Sequence, residues 1–186
     1  MKNFSEMLAR KLNTAPRQRE PDEDKYPWLS ILLDTYHIFD VGLAIERKEE
    51  EKRRGRIAAC SEGCCSCCLR PSAPVTELEI LGIWWFVIDK LGSDVKTPVQ
   101  ERLLNHRQSA ECPFLLHSRC SIYSVRPLAC RILHVFGTPC KPDEIPVETR
   151  PDDIWTPSRD VGRNAAMTML TYFGLTRAQD KVKAFT

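Results

Sequence analysis

The sequence has no glycine-rich phosphate loop following a strand, and no serine–histidine–aspartate or paired-carboxylate arrangement that spacing alone would single out. No internal repeat is visible. An excess of charge of one sign is missing too. Twenty-seven Lys and Arg face twenty-five Asp and Glu, leaving a formal net charge of +2 and a pI near 8.1. A nucleic-acid partner is therefore not expected, because nothing supplies the basic footprint that phosphate binding requires. The stretch from Met1 to Lys25 is polar and lacks the apolar segment of a signal peptide. By run length, no stretch reaches the roughly 18 apolar residues that span a bilayer, and the longest candidate is broken by Asp89. These absences lead to the expectation of a cytoplasmic protein with no membrane partner.

What the sequence does have is cysteine. All nine fall between Cys60 and Cys140. Secreted disulfide scaffolds also concentrate cysteine. Three features oppose that reading: the missing signal segment, the odd count, and the crowding of five thiols into Cys60–Cys68, where bridge geometry is hard to satisfy repeatedly. In a reducing compartment such crowding points to metal. The densest part is Cys60-x-x-x-Cys64-x-x-Cys67-Cys68. Steps of two or three residues let a tight loop turn successive thiolates toward one centre, as in zinc knuckles and cluster-binding loops. Cys112, Cys120, Cys130 and Cys140 are spaced too widely for one knuckle, so the fold has to gather them.

The surrounding pattern is helical. Residues 1–26 mix Pro16 and Pro21 with dense charge and read as a flexible N-terminal arm. Residues 27–178 read as a single metal-binding domain with its cysteine-rich core at 60–140, and 179–186 as a tail. Leu29, Leu32, Leu33, Tyr36, Phe39 and Leu43 form one apolar stripe on a helix running toward Gly55. Thr76 and Glu79 form a capping-box signature for a second helix that stops at Gly92. Pro98 reads as the first position of a third helix ending before Cys112, and Ser158 as the cap of a last helix over 159–173. Phe114–Leu116 and Ile122–Tyr123 flank a polar turn and predict a hairpin, while the proline-rich stretch 139–157 reads as an extended loop. The expected fold class is mainly α with a small irregular or hairpin cysteine-rich region, its helices packed around a metal-organised loop core.

Several segments together carry a family resemblance. They are Cys60-Ser-Glu-Gly-Cys64-Cys-Ser-Cys67-Cys68, Thr76-Glu-Leu-Glu79, Cys112-Pro-Phe-Leu115, Cys120-Ser-Ile-Tyr123 and Arg126-Pro-Leu-Ala-Cys130-Arg131. In this order they resemble the CxxCxxCC cysteine-cluster family, the YkgJ-type zinc- or iron-chelating domain. The resemblance implies eight metal-binding cysteines: Cys60, Cys64, Cys67, Cys68, Cys112, Cys120, Cys130 and Cys140. Cys65 sits where the family has a small residue, and is either an unused thiol or a substitute for a neighbouring ligand. The implied cofactor is zinc or an iron–sulfur cluster. The same module occurs in flagellin lysine N-methylases with an iron–sulfur cluster, so an iron–sulfur enzyme or redox component is the alternative. The chain lacks a nucleotide loop, and that methyl transfer is not carried over.

A thiolate centre needs positive charge and hydrogen-bond donors around it. Arg126 and Arg131 bracket Cys130 and are the candidate supporting groups, with Tyr123 beside them. His117 and His134 lie in the same segment, but the abundance of thiols makes them secondary candidates. The expected function is a metal-binding protein without turnover of its own.

Overall fold

In the computed structural model the described residues are 4–69, 73–106, 111–141 and 144–184. They are mainly helical, with four two-residue strands among them. The chain divides into two compact units: residues up to Arg53 together with those from Pro157 onward, and Arg54–Thr156.

The first unit is helical. Helix α1 spans Phe4–Thr14, α2 spans Pro27–Arg54, α7 spans Arg159–Met169 and α8 spans Ala178–Lys183. Residues 4–14 therefore form a helix with Leu8 buried, within the stretch that composition assigns to a flexible arm. Heavy charge did not preclude helix, because the charged residues lie beside a buried apolar position. The predicted stripe on α2 is buried as Leu29, Leu32, Tyr36, Phe39 and Leu43. Val161, Ala165 and Met169 supply the buried side of α7. Gly42 lets these elements approach closely: a Cβ there would lie 3.2 Å from Val161 Cγ1 and 3.4 Å from Phe4 Cζ. Ser158 does not cap α7 with its own side chain. Its Oγ and backbone N–H both donate to the Glu46 carboxylate, at 2.5 and 2.7 Å. Helix α7 ends at Met169, short of the expected Phe173.

Helix α2 corrects the run count. An 18-residue window in it has mean hydropathy 1.3, long and apolar enough to cross a bilayer by composition. Counting uninterrupted runs missed it, because Asp34, His37 and Asp40 punctuate the window. The pattern is that of a one-sided core helix. Arg17 donates to Asp34 at 2.8 Å, His37 Nε2 sits 3.1 Å from the Ala15 carbonyl, and the apolar stripe is covered.

The second unit carries all nine cysteines. Helix α3 spans Glu77–Trp85 and continues as a π-helical turn over Phe86–Lys90. Its capping box is present: Glu79 N–H donates to Thr76 Oγ1 at 3.3 Å, and Thr76 N–H donates to Glu79 Oε2 at 2.9 Å. Trp85 is buried but Trp84 is half exposed, so the two indoles do not share one packing role. Helix α4 spans Ser93–Leu104, beginning one turn earlier than Pro98 predicts. Gly92 is its cap residue, and Pro98 lies inside the helix past the first turn, at a position where it can donate no N–H to the helical ladder. The expected continuation of this helix through residues 107–110 lies outside the described residues.

Strands β1 (Leu115–Leu116) and β2 (Arg119–Cys120) form the predicted hairpin, one step tighter than expected. His117 and Ser118 both take positive φ (47° and 58°), the two-residue turn that matches strand twist. Helix α5 spans Ala129–Ile132, and β3 (His134–Val135) pairs antiparallel with β4 (Ile154–Trp155). The proline-rich stretch is thus not simply an extended loop. It holds helix α6 (Pro146–Thr149), a 3-10 turn (Pro151–Asp153) and β4, with Pro146 and Pro151 opening turns rather than preventing them.

Glu79 couples the helices to the cysteine region. Its carboxylate is only 2% exposed in total residue area, and Oε1 accepts from the Leu128 backbone N–H at 2.7 Å while Oε2 closes the capping box. Removing it strands two backbone donors. Charge-assisted bonds contribute about 1.5–3 kcal/mol each and a cap about 1 kcal/mol. Glu79→Ala should lower the unfolding free energy by about 2–4 kcal/mol in denaturant titrations. A loss below about 0.5 kcal/mol would show that this carboxylate does not tie the elements together.

Candidate metal centre

Each cysteine is placed by a turn or an element end. Ala59 N–H donates to the Val135 carbonyl at 2.7 Å, and Val135 N–H donates to the Cys60 sulfur at 3.2 Å. Cys60 is thereby fixed against β3. Ser61–Cys64 forms a turn closed by Cys64 N–H to the Ser61 carbonyl at 3.1 Å. Gly63 takes φ +92° at its third position, where a side chain would be strained. A 3-10 turn over Ser66–Cys68 follows, with Cys68 N–H donating to the Cys65 carbonyl at 2.8 Å.

The distant segment joins this loop through the backbone. Cys112 N–H donates to the Cys68 carbonyl at 2.8 Å. The hairpin register then sets Cys120 opposite Leu115, and Cys130 lies in α5. Cys140 follows Gly137, whose φ of +85° redirects the chain out of β3.

The sulfurs contact one another in pairs. Cys60 hydrogen-bonds with Cys64, and Cys68 with both Cys67 and Cys112. In each contact one sulfur donates and its partner accepts, which favours the thiolate on the accepting sulfur. The contact with Cys60 holds Cys64 down to about 6. Cys68 does the same for Cys67, at about 7, and for Cys112, at about 6. Cys60 and Cys68 are correspondingly raised, each by its hydrogen-bonded sulfur neighbour. Partial burial pushes Cys130 up to about 11 and raises Cys120 and Cys140.

Backbone N–H groups also point at sulfur. Ser66 donates to Cys64, Ile122 to Cys120, and both Phe114 and Leu115 to Cys112. Donation from the residue two positions on is what a knuckle offers a thiolate, because the turn leaves that N–H without a ladder partner. Three guanidinium groups supply positive charge. Arg126 favours the ionised forms of Cys120 and Cys130, Arg102 that of Cys112, and Arg150 that of Cys140.

Of the supporting residues expected from sequence, Arg126 lies over the Tyr123 ring, 3.7 Å from its centroid, and donates to the Tyr123 carbonyl at 3.0 Å. Arg131 is 3% exposed and donates to the carbonyls of Arg126 and Ser124, both at 2.9 Å, bracing the loop that holds Arg126. Arg102 and Arg150 were missed. Neither is near a cysteine in sequence: Arg102 reaches Cys112 from α4, and Arg150 returns to the Cys140 segment from ten residues on. Arg150 also donates to the Thr138 carbonyl at 2.8 Å and pairs with Glu144 at 2.8 Å. His134 is buried with Nε2 3.0 Å from the Arg131 carbonyl and its ring beside Trp155, and His117 is exposed at the hairpin turn.

Residues 59–150 match the family model CxxCxxCC, described as "Putative zinc- or iron-chelating domain". This segment, just under half of the chain, is similar to the CxxCxxCC family. No curated protein and no solved structure matches the chain. Metal chelation therefore stands on the family and on the donor chemistry. Among the described residues no three His, Cys, Asp or Glu side chains are already closed around a point that would hold an ion. The donors fit a thiophilic metal in kind: a dense set of thiols, three of them held below the ordinary thiol range, with N–H and guanidinium support. Closing the pairs into a coordination shell is what metal binding would add.

Proposed function

We propose that the protein is a cytoplasmic cysteine-cluster metal-binding protein, holding zinc or an iron–sulfur cluster through Cys60, Cys64, Cys67, Cys68, Cys112, Cys120, Cys130 and Cys140. One observation carries the reading. Cys68 and Cys112, forty-odd residues apart, meet through both backbone and sulfur, inside the segment that matches a chelating family. The bound partner is the metal itself, with no nucleic-acid or membrane partner invoked, and no turnover is needed for its role. Cys65 is the spare thiol of this reading.

The arrangement of N–H groups and guanidinium around sulfur favours a second reading, an iron–sulfur redox component. Hydrogen bonds to cluster sulfurs and nearby positive charge are the levers that set a cluster's potential. Anaerobic purification followed by elemental analysis separates the two. A brown protein with iron and sulfide supports the cluster, and a colourless protein with stoichiometric zinc supports the structural ion. Absence of both metals from protein purified and reconstituted anaerobically would end the proposal.

Replacing Cys112 with Ser should lower metal content although the dense 60–68 segment is intact. Cys64→Ser and Cys67→Ser should lose metal while Cys65→Ser retains it. Equal loss in all three would mean that the wrong thiol has been assigned as spare.

Metal should also order the cysteine region. Structural zinc contributes apparent free energies of about 10–16 kcal/mol in small peptides, comparable with the roughly 5–15 kcal/mol stability of a whole domain. On chelation under reducing conditions, hydrogen-exchange protection should collapse across Cys60–Cys68 and Cys112–Cys140 and fall less in Leu78–Ile88. Unchanged protection in both cysteine segments after complete metal removal would show that metal does not organise them.

A further inference from the structure

We propose that Arg150 is a positioning residue for Cys140: its guanidinium fork clamps the chain on both sides of that cysteine and so sets where the sulfur stands. This rests on the metal-binding reading above and goes beyond it by naming what holds one candidate ligand in place.

Cys140 has no strand or helix of its own. The chain leaves β3 through Gly137 and returns at Asp153, whose carbonyl accepts from the Phe136 N–H at 2.8 Å. None of the described residues from 138 to 153 is buried, whereas Val135 and Phe136 just before them are 2% and 0% exposed. Apolar burial therefore does little to fix this excursion, and its order has to come from polar contacts.

Arg150 collects those contacts. Before Cys140, Nη1 donates to the Thr138 carbonyl at 2.8 Å and to Thr138 Oγ1 at 3.1 Å. After it, Nε donates to Glu144 Oε1 at 2.8 Å and Nη2 to Glu144 Oε2 at 3.2 Å, a two-point pairing of fork and carboxylate. Glu144 in turn accepts from the Lys141 backbone N–H at 2.8 Å and from Thr149 Oγ1 at 3.1 Å. One guanidinium and one carboxylate thus fix the backbone at Thr138 and at Lys141, with Cys140 between them.

The clamp is itself anchored. Arg150 Nη1 also reaches Asp153 Oδ2 at 3.4 Å, and Asp153 Oδ1 accepts from Arg56 Nη1 at 2.7 Å. Arg54 donates to the carbonyls of Asp152 and Ile154 at 2.6 and 3.1 Å. Arg54 and Arg56 belong to the chain that leads into Cys60, so the same network joins the approach to Cys60 with the segment that carries Cys140.

This position asks for geometry as well as charge. Lysine would keep the positive charge, but a single ammonium cannot pair with both Glu144 oxygens and hold Thr138 at once. A residue that only balanced a thiolate would tolerate that exchange. A residue that positions its segment would not.

The test uses the full chain, purified anaerobically under reducing conditions, with Arg150→Lys, Arg150→Gln and Glu144→Ala beside wild type. Hydrogen exchange of the 144–153 backbone should quicken about tenfold in all three variants, the factor expected for one lost charge-assisted hydrogen bond. Exchange in Leu78–Ile88 should not change. After loading with Zn(II), transfer of zinc to a competing chelator should also quicken in the three variants. In a Cys140→Ser background, Arg150→Lys should add no further acceleration. Wild-type exchange at 144–153 in Arg150→Lys would overturn the proposal, because charge alone would then suffice. Faster exchange in α3 as well would overturn it by making Arg150 a residue of general stability. Unchanged zinc transfer despite faster exchange at 144–153, or added acceleration without Cys140, would overturn the role toward that cysteine. No zinc uptake by wild type would overturn the metal-binding reading and the positioning role with it, while exchange at 144–153 still reports on the clamp.

Discussion

Thiolates brought within contact distance repel one another, and each loses hydration that only protein donors can replace. The cysteine region is arranged around that cost. Protons are shared within the Cys60–Cys64 and Cys67–Cys68–Cys112 contacts, so that neighbouring sulfurs are not all ionised together. Backbone N–H groups take up lone pairs on Cys64, Cys112 and Cys120. Guanidinium groups at Arg102, Arg126 and Arg150 stand where the remaining negative charge concentrates. A divalent metal does the same job more strongly, since it lets every coordinating sulfur be a thiolate at once.

The helices serve this region by fixing where its loops begin. Glu79 fastens the N-terminus of α3 to Leu128, immediately before the helix that contains Cys130. Arg131 in that helix braces the Ser124 and Arg126 carbonyls, and Arg126 in turn lies on Tyr123 with its charge toward Cys120 and Cys130. A buried carboxylate and a buried guanidinium thus hold the segment 124–131 on which Cys130 rides. Both set the position of groups that address the sulfurs.

Much of this was legible in the sequence. The capping box at Thr76 and Glu79 is a local signal, and it formed as read. The hairpin after Cys112 was visible from apolar pairs around a polar turn, but its second strand is Arg119–Cys120, and Ile122–Tyr123 enter a 3-10 turn instead. The misreadings share a cause: local rules were applied where longer-range contacts decide. Pro98 suggested a helix start, but the helix had already begun at Ser93. Ser158 suggested a side-chain cap, but Glu46, more than a hundred residues away, takes its hydroxyl. Arg102 and Arg150 could not be found by proximity to cysteine, because the fold alone brings them near. Glu79 was read as a cap, and its second bond to Leu128 has no sequence signature.

The irregularity of the cysteine region follows from the same chemistry that fills it with thiols. In a helix interior or a paired strand, each backbone N–H is already spent on a carbonyl. A sulfur placed there depends on a donor from beyond its own element, as Cys120 in β2 does on the Ile122 N–H. Turns leave N–H groups unspent and aim them inward, as at Ser66, Phe114 and Ile122. Longer strands would improve backbone pairing but consume those donors, leaving the thiolates to be balanced by charge alone. Two-residue strands and single turns are therefore the form this region has to take if its sulfurs are to ionise. The cysteine segment therefore has fewer regular backbone bonds to hold it than α3, whose capping box is in place.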